Sequence, residues 1–188
     1  MEWNGTKFVA LRLGPLKEIT EDTMIFTPGH GDPIKEDDHT KDLGVLIDNN
    51  ADFRPQRRAV AAKTAAKAAW VLRTFQRRDL PLMRTLWRTL IQPHQDYGSQ
   101  LWSPVGLTGD FQLQETPLRA FTKRVAGLEK LPYWERLVRM SLLSTEHRQE
   151  RYKIIYTWKV LKGLVPACGI TLAPSLGLWG GQMARVPP

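Results

Sequence analysis

Apolar positions change their spacing near residue 56. Before it they come in short bursts between turn residues; after it they recur every three or four positions. In residues 3–13, Phe8, Val9, Leu11 and Leu13 follow Asn4-Gly5 before Gly14-Pro15 breaks the run, which predicts a short strand or hairpin. Residues 24–26 predict another strand, stopped by Thr27-Pro28-Gly29. Residues 43–47 predict a third, with β-branched Val45 and Ile47. A small antiparallel sheet is the expected result.

Val60, Thr64, Ala68, Val71, Leu72 and Phe75 then fall at helical spacing, in an alanine-rich stretch that itself favours helix. Asp79 suits the cap of a second helix, with Pro81 in its first turn, a stripe of Leu82, Leu86, Thr89 and Leu90, and a stop at Pro93. The short joint predicts an antiparallel helix pair. Residues 97–104 predict an ordered aromatic connector, and a third helix runs from Asp110 to a stop at Gly127. A fourth covers 133–140, and a fifth, opened by Ser144 and His147, ends at Gly163.

The fold class expected is therefore α+β, mostly α: short antiparallel strands followed by a thumb-like bundle of about five helices. The expected divisions are 1–53 for the strands, 54–165 for the helices, and 166–188 for a Pro/Gly-rich, disordered tail.

Composition narrows the class. Hydrophobic residues make up 42% of the chain, enough to bury a core. The single Cys168 excludes an internal disulfide framework and a multi-cysteine zinc site, and points to an intracellular, reducing compartment. No apolar run is long enough to span a membrane. The first segment lacks the unbroken apolar core of a signal peptide, so Asn4-Gly5-Thr6 is a turn rather than a glycosylation site.

Charge is local. The net +8 divides into 5 basic and 11 acidic residues over 1–53, 10 basic against Asp79 alone over 54–88, and 12 against 7 over the rest. A concentration of cations on one helical segment is the footprint of polyanion contact, weighed against an ordinary solvated face. The candidate contacts to a nucleic-acid backbone are Arg57, Arg58, Lys63, Lys67, Arg73, Arg77 and Arg78, joined by Lys123 and Arg124. Trp70, Trp87, Tyr97, Trp102, Tyr133 and Trp134 are expected in the core rather than as base-stacking platforms.

Other chemistry is weak. Asp37-Asp38 lies in a polar loop, unlike a carboxylate pair that holds catalytic metal, and His30, Asp32 and His39 fit no tight-binding spacing. Ser99, in YGSQL, lacks the second glycine of a nucleophile elbow. No metal site and no catalytic residue is expected.

Three motifs remain: KDLGVLID at 41–48, LIQPHQDYGSQLWSP at 90–104, and LRAFTKRVAGLEKL at 118–131. In this order they resemble the reverse transcriptase of non-LTR, LINE-type retrotransposons of the jockey kind, over residues 3–166. The resemblance implies the end of the palm and the thumb of an RNA-directed DNA polymerase. KDLGVLID looks like the primer-grip hairpin, centred on Leu43, Gly44 and Val45, with Gly44 admitting the primer backbone because it has no Cβ. Lys7, in NGTKF, looks like the family's lysine near the phosphates of the incoming nucleotide.

The family's catalytic carboxylate motifs belong upstream of these and are not in this chain. The implied parent enzyme uses Mg²⁺, whereas this fragment is expected to hold no cofactor. The implied partners are an RNA template/DNA primer hybrid and the missing palm and fingers, with a nuclear location and no membrane. The alternative is a non-catalytic helical module, derived from a transposon, that binds nucleic acid or another protein.

Overall fold

The computed structural model describes residues 9–13, 34–104 and 108–165. Lys7, the strand expected at 24–26, Cys168 and the tail lie outside the described residues. The protein is α+β and mostly α, with two short strand pairs on the N-terminal side of the helices.

Strands β1 (Val9–Ala10) and β2 (Lys35–Glu36) pair in parallel, not antiparallel as expected. Roughly two dozen residues separate them, long enough for the crossover that parallel pairing requires. Strands β3 (His39–Asp42) and β4 (Val45–Asp48) form an antiparallel hairpin with Asp42 opposite Val45. Its two-residue turn, Leu43-Gly44, has positive φ at both positions, 45° and 88°. This is the pattern of a tight turn whose twist matches the strands. Gly44 is therefore required by backbone conformation. A Cβ there would meet the Tyr97 ring at an ordinary 3.7 Å, so lack of space does not dictate the glycine.

Helix α1 (Arg54–Thr74) follows, and it packs on β4 and on the later helices. Val45, Val60 and Trp102, with Phe53, form a small cluster between hairpin and helix. Gln56 ties the two together by accepting a hydrogen bond from the Leu46 amide at 2.9 Å.

Asp79 caps α2 (Leu80–Leu86) as expected, accepting from the Leu82 amide at 3.0 Å. The expected stop at Pro93 does not occur. The helix widens into a π turn over Trp87–Ile91, where the Gln92 amide donates to the Trp87 carbonyl, and continues as α3 (Gln92–Asp96). In a regular helix the proline ring would press on the carbonyl four residues earlier, and the wider turn relieves that clash.

The connector contains one helical turn, α4 (Ser99–Trp102), after Gly98 at φ 62°. Helix α5 (Thr108–Thr122) ends five residues before Gly127. Helix α6 (Tyr133–Met140) closes on Ser141 in the left-handed region, and α7 (Thr145–Leu161) on Gly163. After α7 the Gly163 amide donates to Val160 and the Leu164 amide to Lys159, the paired bonds of a glycine-terminated helix.

The main core gathers Val71, Met83, Trp87, Ile91, Leu118, Phe121, Val125, Leu137 and Met140. Trp87 and Phe121 lie at its centre with ring centroids 5.0 Å apart. By contact the chain forms two units, one ending at Lys153 and the other beginning at Ile154.

Candidate nucleic-acid interface

An open cleft of about 390 Å³ lies between the hairpin, α1 and α3. Lys41, Leu43 and Gly44 line it from the hairpin, Lys63 from α1, and His94 and Tyr97 from the QPHQDYG segment. The Tyr97 hydroxyl donates to the Leu43 carbonyl at 2.7 Å, so the connector holds the hairpin tip in place. No carboxylate is among the lining residues.

Desolvation, and then the charges of Lys63 and Lys67, push the His94 imidazole below its ordinary value. An anion entering the cleft would offset that repulsion and favour proton uptake. Sequence reasoning missed Lys41 and His94 as members of this group. The signal for His94 was its spacing from Tyr97, since residues three apart share a helix face.

The nine predicted cations do not form one stripe. Lys63 and Lys67, one turn apart, lie exposed on the cleft flank, with the Lys67 ammonium 5.1 Å from the Trp70 ring centroid. Arg58 and Arg73 are exposed on a different flank of α1. Arg57 is only 4% exposed, which corrects its assignment as a backbone contact. Its Nη1 donates to the Asp52 carbonyl at 2.6 Å and its Nε lies 2.8 Å from Asp110 Oδ2. Arg77 pairs with Asp79 at 2.7 Å, Arg78 donates to the Leu72 carbonyl, and Lys123 and Arg124 are exposed just beyond α5.

The primer-grip-like trio also divides. Leu43 and Gly44 are exposed at the hairpin tip, whereas Val45 is buried against Val60 and Trp102 and cannot touch a ligand. Among the aromatics, Trp87, Trp102 and Tyr133 are core as expected, but Trp70, Tyr97 and Trp134 are exposed to 43%, 59% and 56%. Trp102 donates from Nε1 to the Tyr97 carbonyl at 2.9 Å, so its polar atom is satisfied.

The rest of the QPHQDYGSQLW segment is structural. Arg148 of α7 donates to Asp96 Oδ1 at 2.8 Å and to Gln95 Oε1 at 3.0 Å, and Gln95 donates to the Gln114 carbonyl at 2.8 Å. Gln149 donates to Gln114 Oε1, Glu115 accepts from the Thr145 amide at 2.8 Å, and Tyr133 donates to Glu115. Burial and the Glu115 carboxylate push the Tyr133 phenol far above its ordinary value. The result is a buried polar seam between α3, α5, α6 and the start of α7.

Asp37 lies 3.6 Å from the Lys35 ammonium and 3.8 Å from the His39 ring. Among the described residues there is no cluster of three or more metal-ligating side chains, and no helix is long and apolar enough to cross a membrane. No family model, curated protein or solved structure matches the chain.

Proposed function

We propose that the chain is the primer/template-gripping palm end and thumb of a non-LTR retrotransposon RNA-directed DNA polymerase, and that its ligand is an RNA/DNA hybrid. One observation carries this reading: the glycine-tipped hairpin of KDLGVLID shares an acid-free cationic cleft with Lys63, His94 and Tyr97. A sugar-phosphate backbone fits such a cleft because its charge is regular and its recognition needs no base contact. Lys41, Lys63 and Lys67 supply phosphate contacts, the exposed Leu43-Gly44 tip bears on the primer, and His94 contributes charge once protonated.

The test is hybrid binding as a function of salt. The wild type is expected to bind weakly, without sequence preference, and with a steep salt slope. Lys63→Glu with Lys67→Glu is expected to weaken binding at least about tenfold and to reduce the slope by about 2, since each phosphate contact contributes about 0.9. Unchanged affinity and slope would leave the cleft a solvated surface. The same reading predicts no primer extension by the chain alone with Mg²⁺ and deoxynucleotides; extension abolished by Asp37→Asn or Asp38→Asn would refute it.

A protein-interaction module is the second reading, favoured by the exposed Ile154, Tyr156, Trp158, Leu161 and Leu164 in the second unit. Absence of hybrid binding at low salt, combined with self-association abolished by Trp158→Asp, would select it.

A further inference from the structure

Beyond the cleft, a second group of cations converges on a notch of about 280 Å³ lined by Ala69, Leu72, Arg73, Arg78 and Arg124. Arg73 closes α1 on the flank that also carries Arg58, and Arg124 follows α5. The Ala126 amide donates to the Arg78 carbonyl at 2.9 Å, which fixes the α1–α2 joint against the segment after α5. One nitrogen of Arg78, Nη2, serves the Leu72 carbonyl; the other, Nη1, is buried and has no hydrogen-bond partner among the described residues. Asp79 is already engaged, capping α2 through Oδ1 and pairing with Arg77 through Oδ2.

Planar guanidinium forks match the oxygens of a phosphoryl group, and a buried N–H without an acceptor favours any ligand that brings one. Three cations with no carboxylate in the lining suit a dianion better than the single charge of a mid-strand phosphodiester. We propose that this notch binds a terminal phosphoryl group, the phosphate monoester at a nucleic-acid end. Arg58, further along the same flank, offers a second cation to a strand leaving the notch along α1. The proposal rests on residues outside the hairpin cleft and stands or falls independently of the polymerase reading.

The full chain is titrated against one single-stranded oligonucleotide carrying either a 5′-phosphate or a 5′-hydroxyl, at constant ionic strength. The phosphorylated end is expected to bind about tenfold more tightly. Arg73→Gln with Arg124→Gln, both exposed and safe for folding, is expected to abolish that preference. Lys63→Glu with Lys67→Glu is expected to keep it, which separates this site from the cleft. If inorganic phosphate raises the Tm of the wild type but not of R73Q/R124Q, while the two ends bind alike, the site stands and its ligand is the free anion. Equal binding of both ends with no effect of inorganic phosphate overturns the proposal, as does a preference that survives R73Q/R124Q. A phosphoserine peptide binding as tightly as the phosphorylated oligonucleotide would overturn the nucleic-acid assignment.

Discussion

The seam between α3, α5 and α7 and the cleft between the hairpin and α1 are both built from polar side chains, and α3 contributes to each. In the seam, Asp96 and Arg148 neutralise one another, and Gln95 accepts from Arg148 while Gln95 and Gln149 donate to Gln114. In the cleft, Lys41, Lys63 and His94 face one another from three elements with no acid among the lining residues. The first arrangement holds elements together; the second leaves charge available to a partner. Arg57 and Lys63 repeat the contrast on a single helix, where burial and not residue type separates them.

The largest effects are expected on the buried side. Trp102→Ala removes a fully buried aromatic from the cluster with Val45 and Val60 and is expected to cost about 3–5 kcal/mol, against a domain stability of about 5–15 kcal/mol. Thermal melting checks this; an unchanged Tm with lost hybrid binding would make Trp102 a stacking platform instead. Arg148→Ala strands the Asp96 carboxylate and is expected to cost about 3 kcal/mol, with Asp96→Asn in the same chain recovering part of the loss.

Arg57→Ala and Lys63→Ala set the comparison on one helix. The former is expected to destabilise by about 2–3 kcal/mol through the orphaned Asp110. The latter is expected to stay within about 0.5 kcal/mol while weakening hybrid binding. Equal stability losses would erase the distinction between the two regions. Gly44→Ala is expected to cost about 1 kcal/mol through its positive φ, read from denaturant midpoints.

The smallest effect is a pH dependence. His94 has a folded value below its unfolded one, so the unfolded chain binds more protons and folding stability falls as pH drops through the imidazole range. Hybrid binding should show the opposite trend, strengthening a few-fold between about pH 7.5 and pH 5.5, because a bound phosphate favours the imidazolium. A slope that persists in His94→Ala would assign the titration elsewhere.

Local signals explain which elements were legible in the sequence. The alanine-rich helix, the Asp79 cap and the Gly163 stop each depend on chemistry within a few residues. Arg57 was misread because a helical arginine looks solvated unless Asp110, far along the chain, is known to meet it. The seam was invisible for the same reason: Gln95, Gln114 and Gln149 have surface composition, and only tertiary packing pairs them. The cleft was half legible, since KDLGVLID and the basic helix were both singled out, but nothing local joined them to His94.

The π turn at Trp87–Ile91 also sets the phase of everything that follows it. Such a turn contains one residue more than the α turn it replaces, and one residue of α-helix is about 100° of rotation. Deleting a single residue there would swing His94 and Tyr97 away from the hairpin and turn Gln95 and Asp96 out of line with Arg148, while driving the Pro93 ring back against a carbonyl. In this stretch the count of residues is therefore as constrained as their identity, and an otherwise conservative deletion would uncouple the binding face and the structural face together.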